Sequence, residues 1–161
     1  MLLALGANLG DRLAALRAAL AGIRQWVAVG AVSTVYETDP RYVTDQPKFL
    51  NACLAGETAL PPAALLARLK ALETAIGRRP GQRHGPREID IDILAMGALR
   101  LDTPDLVLPH PRLAERAFVL RPLAEVAPGW RHPANGLTPA DMLAALTDDG
   151  GLVARPDLPL D

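Results

Sequence analysis

The sequence predicts an α+β fold: a ferredoxin-like βαββαβ core, its antiparallel sheet carrying both helices on one face, with C-terminal elements partly covering the other. Two observations predict it. Short apolar β-rich runs and longer stretches of helical period follow one another in the order β-α-β-β-α-β from Leu2 to Ile93. The length, 161 residues with no internal repeat, low-complexity tract or dividing linker, suits a single domain over residues 1–161, large enough to bury roughly two-thirds of its unfolded surface.

Leu2 to Leu5 form a short apolar run closed by Gly6, the first strand. Behind Asp11, a helix-capping residue type, Leu13, Leu16, Leu20, Ile23 and Val27 recur at helical spacing and predict the first helix. Residues 28–37 return to β-rich chain, Thr38 to Pro47 is turn-like, and residues 48–58 again read as strand, giving two strands joined by a long loop. Pro61 and Pro62 open a second helix whose Leu65, Leu66, Leu69, Leu72 and Ile76 make one apolar stripe, with Gly77 as its stop. A Gly/Pro/Arg-rich loop leads into the fourth strand. Beyond residue 98 come a short strand-like piece at Leu99 to Leu101, a Pro-rich turn, a helix around Leu113 to Val126 and another near Pro139 to Leu146, which are expected to cover part of the open sheet face.

Composition excludes several function classes. With 17 Lys plus Arg against 18 Asp plus Glu, the net charge of −1 provides no global basic field for nucleic acid or anionic membrane. RNA binding on an open sheet would call for exposed aromatics, and only 4% of residues are aromatic. The single cysteine, Cys53, excludes an internal disulfide, and its apolar surroundings mark it as a buried small hydrophobe. No apolar stretch reaches the roughly 20 residues of a membrane span, and the expectation is a cytoplasmic, monomeric protein.

The fourth strand holds the most informative pattern. In extended chain, Glu88-Ile89-Asp90-Ile91-Asp92-Ile93 sends Asp90 and Asp92 to one face and the isoleucines to the other, with the two aspartates about 7 Å apart at Cα. Like charges this close raise one another's pKa unless a cation intervenes, which suits oxygen-loving divalent ions. The same pattern also describes a solvated edge strand with a polar face. The preceding loop favours the first reading: Arg78, Arg79, Arg83 and Arg87 stand among two glycines and two prolines with no acidic residue. Guanidinium forks suit polyphosphate oxygens and carboxylates suit the magnesium that accompanies them; the bland alternative is a solvated basic turn.

On the third strand Phe49 and Asn51 share a face, setting an apolar surface beside an amide, which would fit a planar hydrogen-bonding heterocycle; each residue separately also fits a structural place. His110 sits in the proline turn Leu108-Pro109-His110-Pro111-Arg112, followed by Arg116 and Phe118. Gly6-Ala7-Asn8-Leu9-Gly10 marks a strand-to-helix junction but lacks both the P-loop and the dinucleotide-binding signature.

Ala4 to Gly10, Tyr36-Glu37-Thr38, Asp45 to Ala52, Gly85 to Ile93 and Val107 to Pro111 together resemble the 6-hydroxymethyl-7,8-dihydropterin pyrophosphokinase family, along nearly the whole chain. That resemblance implies transfer of the terminal diphosphate of ATP to the pterin hydroxymethyl group in folate biosynthesis, with release of AMP. It implies two magnesium ions on Asp90 and Asp92, a catalytic set of Asp90, Asp92, Arg83 and Arg87, and a nucleotide site of Glu73, Arg78, Arg83, Arg87, Ile93, His110 and Arg116. Thr38, Phe49, Asn51 and Phe118 would hold the pterin. The partners implied are these small molecules, with no nucleic acid and no membrane. The chain departs from the family pattern at His84, where tryptophan is common, at Phe49 for tyrosine, at Val107 and Pro111, and in a shorter loop with Pro80. The competing class is a noncatalytic ferredoxin-like ligand-binding module.

Overall fold

The computed structural model describes residues 1–161. Strands β1 (Leu2–Ala7), β2 (Ala28–Val32), β3 (Tyr36–Thr38), β4 (Phe49–Glu57) and β5 (Asp90–Ala95), with helices α1 (Arg12–Ile23) and α2 (Pro62–Ile76), make the expected core. The sheet runs β5-β1-β4-β3 with β2 also beside β4, and every pairing is antiparallel. Residues 28–37, expected as one strand, are broken at Ser33 to Val35. Between the pairs Val32 with Leu54 and Tyr36 with Asn51, three residues of one strand oppose two of the other, a bulge. Ser33 stabilises it by accepting the Cys53 amide at its Oγ, 2.9 Å away, and donating its own N–H to the Cys53 carbonyl.

Helix α1 is capped as expected: the Asp11 carboxylate accepts the Ala14 amide at 3.0 Å. It ends at Ile23 rather than Val27, the chain turning through residues 24–27 while Val27 still reaches the core. Alternation splits the sheet's residues between two cores. Leu3, Leu5, Leu50, Leu54, Ile91 and Ile93 face the helices, where they meet Leu16, Leu20, Leu65 and Leu69. Leu2, Cys53, Leu94 and Ala95 point the other way, beneath the C-terminal elements.

Those elements are a two-stranded ribbon, β6 (Leu101–Asp102) with β7 (Val107–Leu108), then α3 (Ala117–Val126) and α4 (Pro139–Ala144). The helix expected from Leu113 begins as a separate 3-10 turn at Leu113–Glu115, because the extended backbone of Arg116 interrupts it. A last strand, β8 (Val153–Ala154), pairs with β3 and covers the sheet edge. Leu113, Val119, Leu120, Leu123 and Met142 cover only the lower half of the second sheet face. The upper half, where β1, β4 and β5 present Gly6, Asn51 and Asp90 side by side, stays uncovered. No helix is long and apolar enough to cross a membrane.

Candidate active site

A cavity of about 300 Å³ occupies that uncovered half. Its floor is the sheet. Register places Asp90 beside Gly6, Gly6 beside Asn51, Asn51 beside Tyr36, and Asp92 beside Ala4. A Cβ at Gly6 would stand 3.1 Å from the Asn51 side-chain oxygen, crowding the gap between the carboxylates and the amide.

The two aspartates share a face, as their spacing predicts, but not an environment. Asp90 accepts from Arg78 Nη1 at 2.7 Å and from Arg87 Nη1 at 3.0 Å. Burial opposes its ionisation, yet Arg87, Arg78 and Lys70 outweigh burial and hold the carboxyl below its ordinary range. Asp92 has no such pairing; burial, and then the charge of Asp90, push it up to about 6. A carboxylate destabilised in this way gains most from an added cation. The donor set fits a magnesium-type ion, which needs only one or two protein carboxylates and fills its other positions with water and phosphate oxygens.

Behind the strand stands Glu73, which replaces an apolar residue on the buried stripe of α2 and is only 3% exposed. It accepts the Ile91 amide at 2.7 Å and pairs with Arg78 at 3.0 Å and Lys70 at 3.1 Å. Its chain of contacts, Glu73 to Arg78 to Asp90, braces the Asp90 carboxylate from outside the cavity. Because the Ile91 N–H turns outward at the free edge of the sheet, the two-residue period turns the Ile93 backbone to that same edge. The Ile93 side chain itself lies in the helix-side core.

At the other end of the floor, Asn51 Nδ2 donates to Thr38 Oγ1 at 2.8 Å, and both side chains are buried. This leaves an amide oxygen able to accept and a hydroxyl able to donate. Phe49 and Phe118 add aromatic surface to the same cavity, and Arg87 lies 5.9 Å over the Phe49 ring. His110 closes a side. Its Nδ1 accepts the Arg112 amide at 3.1 Å, so its Nε2 carries the proton. Burial, with Arg116 next in weight, drives its pKa down to about 4, leaving an uncharged donor at neutral pH. Arg116 lines the cavity as well, and its buried Nε has no hydrogen-bond partner.

The structure therefore gathers Asp90, Asp92, Arg87, His110, Arg116, Thr38, Phe49, Asn51 and Phe118 at one cavity. Glu73, Arg78 and Ile93 stand behind or beside it, and Arg83 is exposed on its loop.

Sequence reasoning assigned no role to Asn8, Gln46 or Tyr42. Asn8, 1% exposed, donates to Gln46 Oε1 at 2.9 Å and the Pro47 carbonyl at 3.0 Å, and accepts the Arg87 amide at 2.9 Å. Gln46 in turn donates to the His84 carbonyl at 2.9 Å. The junction after β1 thus fastens both the 39–48 loop and the 77–89 loop. Its Asn8, rejected as part of any nucleotide-loop signature, was visible only as an amide between glycines. Tyr42 was visible as the one aromatic in a polar loop; its ring stacks on His84 with centroids 4.2 Å apart.

Comparison with known proteins gives the chain's relatives. Residues 2–128 match the model of the 7,8-dihydro-6-hydroxymethylpterin-pyrophosphokinase (HPPK) family. The chain is 45% identical over 126 residues to 2-amino-4-hydroxy-6-hydroxymethyldihydropteridine pyrophosphokinase of Bacillus subtilis, covering 77% of this chain and 75% of that one. The namesake from Methylorubrum extorquens is 45% identical over 154 residues, covering 92% of this chain and 94% of that one. The mitochondrial folate synthesis bifunctional protein of Arabidopsis thaliana is 46% identical over 127 residues, 78% of this chain but only 23% of that protein. The chain thus spans about a quarter of the length of such bifunctional relatives. The fold resembles that of Plasmodium falciparum HPPK-DHPS with pteroate at a TM-score of 0.73 and 16% identity, over 89% of this chain and 41% of that one. On the family match and these relatives, the chain belongs to the 7,8-dihydro-6-hydroxymethylpterin-pyrophosphokinase family.

Proposed function

We propose that the chain transfers the β,γ-diphosphate of ATP to the hydroxymethyl oxygen of 6-hydroxymethyl-7,8-dihydropterin, releasing AMP, as a step of folate biosynthesis. The observation that carries the proposal is one cavity with two unlike ends. One end presents the cation-seeking Asp92 beside Asp90, and the other presents an acceptor and a donor, Asn51 and Thr38, with the rings of Phe49 and Phe118.

Asn51 Oδ1 would accept from the amino or ring N–H of the pterin edge, and the Thr38 hydroxyl would donate to a ring nitrogen or oxygen. The two phenylalanines would hold the bicycle flat, placing its hydroxymethyl group toward Asp90 and Asp92. Arg116 and the neutral His110 Nε2–H would bind phosphate oxygens, and Arg87, already at the rim, would share its charge between Asp90 and the diphosphate. The exposed Arg83 would join by loop closure, excluding water that would otherwise hydrolyse ATP. Ile93 would contribute its backbone edge, Glu73 and Arg78 the bracing of β5.

Two magnesium ions, held by Asp90 and Asp92, would supply charge neutralisation on the triphosphate and a lowered pKa at the attacking hydroxyl. In the reaction the hydroxymethyl oxygen forms a bond to the β-phosphorus, the bond from that phosphorus to the α-phosphate oxygen breaks, and the hydroxyl proton passes to solvent. Positioning and electrostatics suffice for such a transfer. The protein would act as a monomer on small molecules alone.

The test is AMP release from ATP and magnesium with and without hydroxymethyl-dihydropterin. AMP that depends on the pterin supports the transferase; ATP or pterin bound without turnover would favour the ligand-binding module instead.

A further inference from the structure

The rim of the cavity brings together side chains from three chain segments distant in sequence, all around one ring. Tyr42, from the 39–48 loop, is 39% exposed. His84 of the 77–89 loop stacks on it with centroids 4.2 Å apart and planes 34° from parallel. From the segment leading into α3, the Arg112 guanidinium lies 4.7 Å and the Arg116 guanidinium 5.9 Å from the ring centroid. Arg116 Nη2 also donates to the Tyr42 hydroxyl at 3.4 Å.

Arg41, from the same loop as Tyr42, also lies 5.9 Å from the centroid, and guanidiniums gathered around one ring repel each other. Glu115 relieves Arg112 at 2.9 Å, whereas Arg116 pairs with no carboxylate and keeps a buried Nε without an acceptor. The quadrupole of an aromatic face attracts cations without consuming their hydrogen bonds. A carboxylate at position 42 would neutralise the pair, but the tyrosine gathers it while engaging only one N–H, that of Arg116 Nη2, in a long bond to its hydroxyl. The occupant that completes such an arrangement is an oxyanion with several acceptor atoms.

We propose that Tyr42 is a positioning residue that holds Arg112 and Arg116 together at the cavity rim, so that a nucleoside triphosphate meets a preassembled pair of guanidiniums. The role deepens the pyrophosphokinase reading and rests on it. It belongs to the ring face: the hydroxyl bond is long, and the contacts to His84 and Arg112 involve the ring alone. Preassembly lowers the ordering penalty of binding, so the effect appears in nucleotide affinity and leaves the pterin end of the cavity unaltered.

The experiment measures binding of magnesium α,β-methylene-ATP, whose methylene bridge between α- and β-phosphorus cannot be cleaved, by calorimetry to the wild-type chain and to Tyr42→Ala, Tyr42→Leu and Tyr42→Phe. Dihydropterin binding and thermal midpoints are measured in parallel. Expected is about a tenfold loss of analogue affinity in Tyr42→Ala, equivalent to about 1.4 kcal/mol. Tyr42→Leu should lose as much, since it keeps bulk but no π-face, while Tyr42→Phe stays within about twofold of wild type. Pterin affinity and thermal midpoint should stay near wild type in all three. The inference is overturned if Tyr42→Leu binds like Tyr42→Phe, if Tyr42→Ala binds like wild type, or if both ligands weaken equally. Failure of the wild-type chain to bind the analogue would overturn the pyrophosphokinase reading and this inference with it.

Discussion

Replacing Asp92 by asparagine should make the metal-free protein more stable while removing its activity. A carboxyl whose folded pKa lies above its unfolded value destabilises the native state once ionised. For Asp92 the rise from 3.8 to about 6, caused by burial and then by Asp90, corresponds to about two units, on the order of 3 kcal/mol. Asparagine keeps the shape without the charge but not the proton-donor geometry of the acid, so the expected gain at pH 7 is about 1–3 kcal/mol. The gain should shrink as pH falls from about 6 toward 3.8, where the wild-type carboxyl becomes protonated in the folded and then in the unfolded state. Urea unfolding in EDTA at pH 7 and at pH 4 measures both ends of this window. Magnesium with ATP should narrow the gap at pH 7, because only the wild type would gain binding energy from the cation. An Asp92→Asn protein less stable than wild type at pH 7, or equally displaced at both pH values, would refute the reasoning, and near-normal turnover would remove Asp92 from the reaction.

Three further outcomes follow from neighbouring contacts. Asn8→Ala should destabilise by about 2–4 kcal/mol, since it strands the Arg87 amide and the Pro47 carbonyl; chemical denaturation measures the loss, and an unchanged midpoint would show that the two loops need no common anchor. Glu73→Ala, which leaves the Ile91 amide unsatisfied and Arg78 half-paired, should lower stability by about 3 kcal/mol, read in the same way. Asn51→Ala should raise the KM for the dihydropterin at least about tenfold while leaving that for MgATP nearly unchanged; a shift confined to MgATP would place the pterin elsewhere.

Much of this site was legible in the chain because it rests on short-range periodicity. The two-residue period alone puts Asp90 and Asp92 on one face and Phe49 and Asn51 on one face, and the helical period alone predicts α1 and α2. The same reasoning failed where geometry depended on partners. A single strand was expected over 28–37, but the bulge at Ser33 exists only because β4 offers two residues against three. Glu73 interrupts an apolar stripe, and nothing local says that its carboxylate meets the Ile91 amide on another element.

What the sequence by itself determined was the kind of chemistry each segment carries: paired carboxylates, a basic loop, an aromatic with an amide. Only the tertiary structure decided which of these groups meet. Sheet order set the aspartates one strand from Gly6 and two strands from Asn51, α3 and α4 stopped halfway across the sheet, and the loops folded back onto Asn8 and Tyr42. The physical reason is that alternation and helical period are properties of the backbone, whereas the unequal ease of ionisation of Asp90 and Asp92 arises from Arg78 and Arg87 brought to one carboxylate and not to the other.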